Sequence, residues 1–194
     1  MEIVFESQIS GEFVLLRKST LEDAHFIFDL RDSISGKFLR RPRRYDLKSQ
    51  MEWMTNRPNN EINYVILDKS TQIRVGTISI YDVNVQDKVA NVGRLLLEET
   101  YLKMSTPYGL ESLLLTYSFV FDHLNFRKIT GDILSSNVQM LKFQLFLGME
   151  QEGLLKEHVL IGSEFVDLHI MSLTKVSFEA KYKKKIEFLL NSFK

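Results

Sequence analysis

The chain has 194 residues, 44% of them apolar and 26% charged, which fits one globular domain with an ordinary core. Its 25 basic and 25 acidic residues cancel, so no overall field draws it to nucleic acid or to a membrane. Cysteine is absent, which excludes a disulfide framework, a thiolate metal site and a cysteine nucleophile, and fits a reducing, cytoplasmic setting.

The opening MEIVFESQISGE is acidic and too broken for a signal peptide. The longest apolar run, Leu113 to Phe121, is too short to span a bilayer. His25, His123, His158 and His169 show no HExxH pairing, so no metal is expected.

Phe13 to Arg17 is a short β-like run. Thr20 then reads as an N-cap, with Asp23 at the third helical position of a variant capping box. Ala24, Phe26, Ile27, Leu30 and Ile34 recur at helical spacing, and this helix should end near Asp32, before Ser35-Gly36. Lys37 to Arg44 carries five basic residues around Pro42. It reads as a solvated loop or as a phosphate-facing one. Asp46 caps a second helix with Leu47, Met51 and Trp53-Met54 on its apolar side. Arg57-Pro58-Asn59-Asn60 stops it.

Ile62 to Leu67, Ile73 to Val83 and Val89 to Leu97 read as three successive antiparallel strands. Gly93 inside the last marks a bulge or a close backbone approach. From Asn91 to Asp122 the chain passes from that strand through a polar loop, with Pro107 and Gly109, into a long apolar helix ending near His123. A loop at a helix N-terminus is suited to phosphate, because the first backbone N–H groups are open and the dipole is positive. The loop is therefore read as gripping the pyrophosphate of a coenzyme, and the strand before it as holding an acyl group. Glu111, in the first helical turn, suits the positive helix end.

Arg127 to Leu134 is the next strand, parallel to the previous one because a helix joins them. Asn137 starts a further helix that Gly148 closes. Met149 to Leu160 and Phe165 to Leu173 form a hairpin through Gly162-Ser163. Phe178, Tyr182, Ile186, Leu189-Leu190 and Phe193 mark an amphipathic terminal helix. Its lysine face is solvated or meets a partner, as in a homodimer.

The order β–α–α–β–β–β–loop–α–β–α–β–β–α describes a mixed α/β domain over residues 1–175, with a packed helix over 176–194. Its sheet is mostly antiparallel with one local parallel pair, and a crevice should open where that pair diverges.

This order, with FVLLRKSTLEDAHFIFDLRD, NVGRLLLEETYLKMSTPYGLESLLL and NVQMLKFQLFLGMEQEGLLKEHV on it, resembles the GNAT acetyltransferase superfamily. The resemblance implies direct transfer of an acetyl group from acetyl-CoA, as co-substrate, to a primary amine. It implies that Arg94 to Leu97, with Leu95, Leu96 and Leu97 as binding residues, offer backbone N–H groups to the thioester and pantetheine. Met104, Ser105, Thr106, Tyr108 and Gly109 would take the pyrophosphate, and Asn137 the pantetheine arm. Glu98 or Glu99, at the end of the strand, is the expected general base, with Asp82 and His158 behind them. Arg31, Arg40 and Asp82 are expected to meet the acceptor. Two departures stand out. Met104 and Pro107 replace a polar residue and a glycine of the usual loop, and Gln144 stands where many members place an acidic tyrosine.

Residues 30–33, 37–39 and 50–54 look most like the branch that acetylates amino groups of nucleotide-linked sugars. The Arg40-Arg41-Arg43-Arg44 run would suit a diphosphate. Glu152-Gly153-Leu154-Leu155 is shared with the branch that acetylates protein N-termini. A non-catalytic acyl-CoA-binding module on the same fold is the third reading.

Overall fold

The computed structural model describes residues 4–33, 38, 46–102, 104 and 106–193. The expected basic run around Pro42, and with it Arg40, lies outside the described residues, as does Ser105. Among the described residues, eight strands form one sheet in the order β1-β2-β3-β4-β5-β6-β8-β7. The strands are β1 (Gln8–Ser10), β2 (Val14–Lys18), β3 (Ile62–Asp68), β4 (Arg74–Asn84), β5 (Val89–Leu97), β6 (Lys128–Leu134), β7 (Glu150–Ile161) and β8 (Glu164–Thr174). Every pairing is antiparallel except β5 with β6. The mixed α/β architecture expected from the sequence is therefore present, including its single parallel pair. Strand β1 was not foreseen, because a run of three residues is too short to carry a periodic signal.

Helices cover both faces. Helix α1 (Ala24–Asp32) follows a 3-10 turn, Leu21–Asp23, and helix α2 is Leu47–Thr55. They pack on each other through Ala24, Ile27 and Met54. A short α3 (Glu99–Leu102) precedes α4 (Tyr108–Ser118), which runs on through a π-helical turn, Phe119–His123. Helix α5 is Val138–Leu147; the chain ends in α6 (Lys175–Ser177), a second π turn, and α7 (Lys183–Asn191). The main core lies under α4 and the terminal helix. Tyr117, Phe121, Phe178, Tyr182 and Ile186 are there with the inner residues of the central strands. Leu95 and Leu97 join this core, while Leu96 between them is buried on the opposite face, as strand alternation requires.

Local signals fixed the helix ends. Asp46 accepts from the Ser49 amide at 2.7 Å, and Asn137 from Met140 at 3.2 Å. Gly148 closes α5 in the left-handed region at φ 118°. At the start of α1, Thr20 donates its amide to Asp23 at 2.9 Å. Asp23 is buried and also takes a two-point bond from Arg17, at 2.8 and 3.0 Å, with Arg74 at 3.5 Å.

Burial opposes the Asp23 charge, but the Arg17 bond, the Thr20 amide and the two guanidinium charges outweigh it, holding its pKa below the usual value. A lowered native pKa means that the unfolded chain binds the extra proton first. The stabilisation is thus complete above the ordinary value of 3.8 and disappears as pH falls toward the lower native one. Denaturant melts at falling pH should show wild type losing this increment in that window. Asp23→Asn should be less stable at neutral pH and should show a shallower acid dependence. Parallel curves for the two proteins would contradict this.

Candidate active site

Strands β5 and β6 pair only over Val89–Asn91 and Lys128–Thr130, then part. Past that point the facing edge of β5 has no ladder partner from β6, so its N–H and C=O groups line an open crevice. Two irregularities shape the β4–β5 side. Between the pairs Thr77–Leu96 and Ser79–Gly93, β5 carries one extra residue, and Arg94 sits there at φ 53°. Between Tyr81–Asn91 and Asn84–Val89 the extra residue is on β4, and Asp82 sits at φ 50°. Both are β-bulges that re-aim side chains. The bulge expected from Gly93 falls on its neighbour.

A cavity of about 840 Å³ occupies the α1/α2 side of this crevice. Its helical wall includes Arg31, Gln50 and Trp53; its sheet wall includes Tyr81, Asp82, Asn91, Gly93, Arg94, Thr130 and Asp132. Leu155 and His158 of β7 and Leu168 and Ile170 of β8 close the far side. His158 reaches the wall where β7 bulges, with Glu157 at φ 47° and its amide on Asp167 at 2.8 Å.

Three side-chain groups organise the wall. Arg94 pairs with Glu61 and lies 4.1 Å over the Tyr81 ring and 5.6 Å over Trp53. The Tyr81 hydroxyl donates to Asp132 Oδ1 at 3.4 Å. Thr130 donates to Asn91, and Asn91 donates to Asp82 at 3.0 Å. Burial, with the nearby Asp132 charge, pushes the Tyr81 phenol well above its ordinary pKa despite Arg94.

The expected site residues divide accordingly. Arg31 and Asp82 line the cavity, as does His158. Glu98 and Glu99 do not. The Glu98 carbonyl accepts the Tyr101 and Leu102 amides, at 3.0 and 3.1 Å, so the chain turns into α3 directly after β5. Among the described residues, the carboxylates on the cavity wall are Asp82 and Asp132. The sequence reading does not single out Asp132 or Tyr81, and takes Arg94 for its backbone N–H alone; an acid next to Gly131 in a strand with Ile129, Ile133 and Leu134 is the usable signal.

On the opposite side, α4 presents its N-terminus. Its first i→i−4 bond is Glu111 N–H to the Pro107 carbonyl at 3.0 Å, so the amides of Gly109 and Leu110 precede the helical ladder. Pro107 is the N-cap and offers no N–H. Leu95 and Leu97 lie against Gly109, where an added Cβ would meet them at 3.8 and 3.4 Å. Tyr108 donates to Asp68 at 2.6 Å and fixes the helix start to β3. Met104 is exposed and Thr106 half-buried. Glu111 is buried within the first turn, and its carboxylate accepts the Glu12, Phe13 and Val14 amides at 2.7, 2.8 and 2.7 Å. Its work is therefore to hold the β1–β2 turn, more than to balance the helix end. Gln144 is also buried and accepts from Tyr182 at 3.1 Å on the core side.

No group of three or more potential metal-binding side chains occurs among the described residues. Nor is any described helix long and apolar enough to cross a membrane.

A family profile described as an acetyltransferase (GNAT) domain matches residues 14–150. No curated protein sequence matches the chain. Solved structures do match in fold. One, described as an acetyltransferase from T. thermophilus, superposes with TM-score 0.81 at 20% identity, covering 97% of this chain and 99% of that one. A GCN5-related N-acetyltransferase from Brucella melitensis gives 0.78 at 16%, covering 94% and 85%. A spermidine N-acetyltransferase chimera from Vibrio cholerae and hSSAT gives 0.77 at 17%, covering 88% and 100%. With the splayed parallel pair, the bulged β5 and the profile match over most of its length, the chain belongs to the GNAT acetyltransferase family.

Proposed function

We propose that this chain transfers an acetyl group from acetyl-CoA to a primary amine. The observation that carries the reading is the parting of β5 and β6, which opens a passage between the N-terminus of α4 and the cavity under α1 and α2. The residues present fit the coenzyme. The β5 edge over Leu95–Leu97 offers unladdered backbone groups suited to pantetheine. The Gly109 and Leu110 amides, at a positive helix end, suit a pyrophosphate, with Thr106, Tyr108 and Met104 beside them. Asn137 uses its carbonyl oxygen in the helix cap and keeps its NH₂ group for an amide-bearing arm. Bound acetyl-CoA supplies an acetyl carbon activated by a thiolate leaving group.

The chain's own residues then hold the amine in the cavity, exclude water, and remove a proton from it. The carboxylates of Asp82 and Asp132 favour a cationic amine there. The acceptor reading is an amino group on a small molecule, with a nucleotide-linked amino sugar first, since Arg31 can meet an anionic part. A protein N-terminus is the second reading. Spermidine, the substrate named for one fold neighbour, belongs in the same test because Asp82 and Asp132 stand on the wall.

The test is a panel of nucleotide-linked amino sugars, N-terminal peptides and polyamines, read by CoA release, beside calorimetric titration of acetyl-CoA. Saturable acetyl-CoA binding and turnover with one amine class are expected. Binding without turnover on any amine would favour a non-catalytic acyl-CoA module. Absence of binding at millimolar acetyl-CoA would overturn the coenzyme assignment.

A further inference from the structure

We infer that Asp132 receives the acceptor's ammonium group and takes its first proton, and that Tyr81 is the positioning residue for that carboxylate. This rests on the acetyl-transfer reading above. Asp132 stands on β6 two residues past Thr130, the last β6 residue paired with β5, on the bank of the crevice that faces Gly93. Tyr81 begins on β4, crosses β5, and places its hydroxyl 3.4 Å from Asp132 Oδ1. It can cross because Gly93 has no side chain; a Cβ there would lie 3.1 Å from the hydroxyl. Arg94 covers the Tyr81 ring at 4.1 Å and fixes its plane. Three adjacent strands thus contribute to the placing of one carboxylate. Asp82, the other acid on the wall among the described residues, sits at the β4 bulge on the near side of β5 and not on the β6 bank.

The proton balance is simple. An ammonium acceptor must lose two protons to become an amide. Asp132 takes the first and releases it to solvent after turnover. The nitrogen lone pair forms the bond to the acetyl carbon, the carbon–sulfur bond breaks, and sulfur leaves with its electron pair. The nitrogen's second proton goes to that sulfur. Among the described residues, the other titratable groups facing the cavity, besides Tyr81, are Asp82 from β4, Arg94 from β5, His158 from β7 and Arg31 from α1.

The experiment compares wild type, Asp132→Asn and Tyr81→Phe in steady-state kcat and KM across pH, with the amine the panel identifies. Acetyl-CoA affinity is measured alongside. Asp132→Asn should lose about a hundredfold or more in kcat near neutral pH. Part of that should return as pH approaches the amine's own pKa, where solvent supplies free amine. Acetyl-CoA affinity should be unchanged. Tyr81→Phe should lose about tenfold in kcat with the same pH trend. A rise in amine KM with kcat retained would make Asp132 a binding group only and overturn the inference. So would a kcat loss that is equal at every pH, or no loss. A wild type inert on every amine would overturn the acetyl-transfer reading and this inference with it, which keeps the two failures apart.

Discussion

Replacing Glu111 with alanine should lower stability by at least about 3 kcal/mol, a melting shift on the order of 10 °C for a domain of this size. The side chain is buried, and its two oxygens take three backbone amides in succession, Glu12, Phe13 and Val14. Bonds to a charged acceptor are the stronger kind, and removing the acceptor leaves three donors to find other partners. Glutamine should fall between, because its NH₂ group would face amide donors with a donor of its own. Gly11→Ala probes the same clamp from the other side, since its Cβ would stand 2.5 Å from the Glu111 carboxyl carbon. The effect should reach the coenzyme. Glu111 sits in the first turn of α4, directly after the Gly109 and Leu110 amides, and the helix start is otherwise tied by Tyr108 to Asp68. Weakened acetyl-CoA affinity in the folded variant is therefore expected by titration. A melt within about 2 °C of wild type would show that water replaces the carboxylate without cost.

What the sequence could say followed from range. Helix ends were readable because capping is a contact between residues three or four apart: Asp46 with Ser49, Asn137 with Met140. The parallel β5–β6 pair was readable because a helical crossover constrains strand direction. Gly93 was readable as a special position, though its reason, the Tyr81 hydroxyl passing over it, was not. The cavity wall depends on contacts with no local trace. Tyr81 and Asp132 are 51 residues apart, and Arg94 and Glu61 are 33. Proximity in sequence instead points to Glu98 and Glu99, where the chain turns into the short α3 and neither glutamate lines the cavity. Glu111 illustrates the same limit: its place in the first helical turn was plain, but its partners are nearly a hundred residues earlier.

Arg94 is where stability and activity can be separated. Its guanidinium is partly exposed, at 28%, but its partner Glu61 has a side chain only 7% exposed. Arg94→Met keeps most of the volume and, like arginine, has a side chain at φ 53°, so backbone strain at the bulge is largely common to both. What changes is the charge. Glu61 keeps the Asn63 amide at 2.9 Å and the field of Arg57 but loses its ion-pair partner, which should cost about 1–3 kcal/mol. Replacing both partners, Arg94→Met with Glu61→Leu, removes the weakened carboxylate and should recover part of that stability in a chemical melt, the rest being lost because Arg57 gives up its attraction to Glu61. Activity should not recover with it. Tyr81 and Trp53 lose the cation between them in the single and the double variant alike, so Tyr81 no longer has a fixed plane from which to reach Asp132. Acetyl-CoA binding should remain near wild type, since the β5 backbone edge and the α4 amides are untouched. A double variant that regains stability and full kcat would show that Arg94 serves the fold alone, and that the Tyr81 ring is held by its burial without help from the guanidinium.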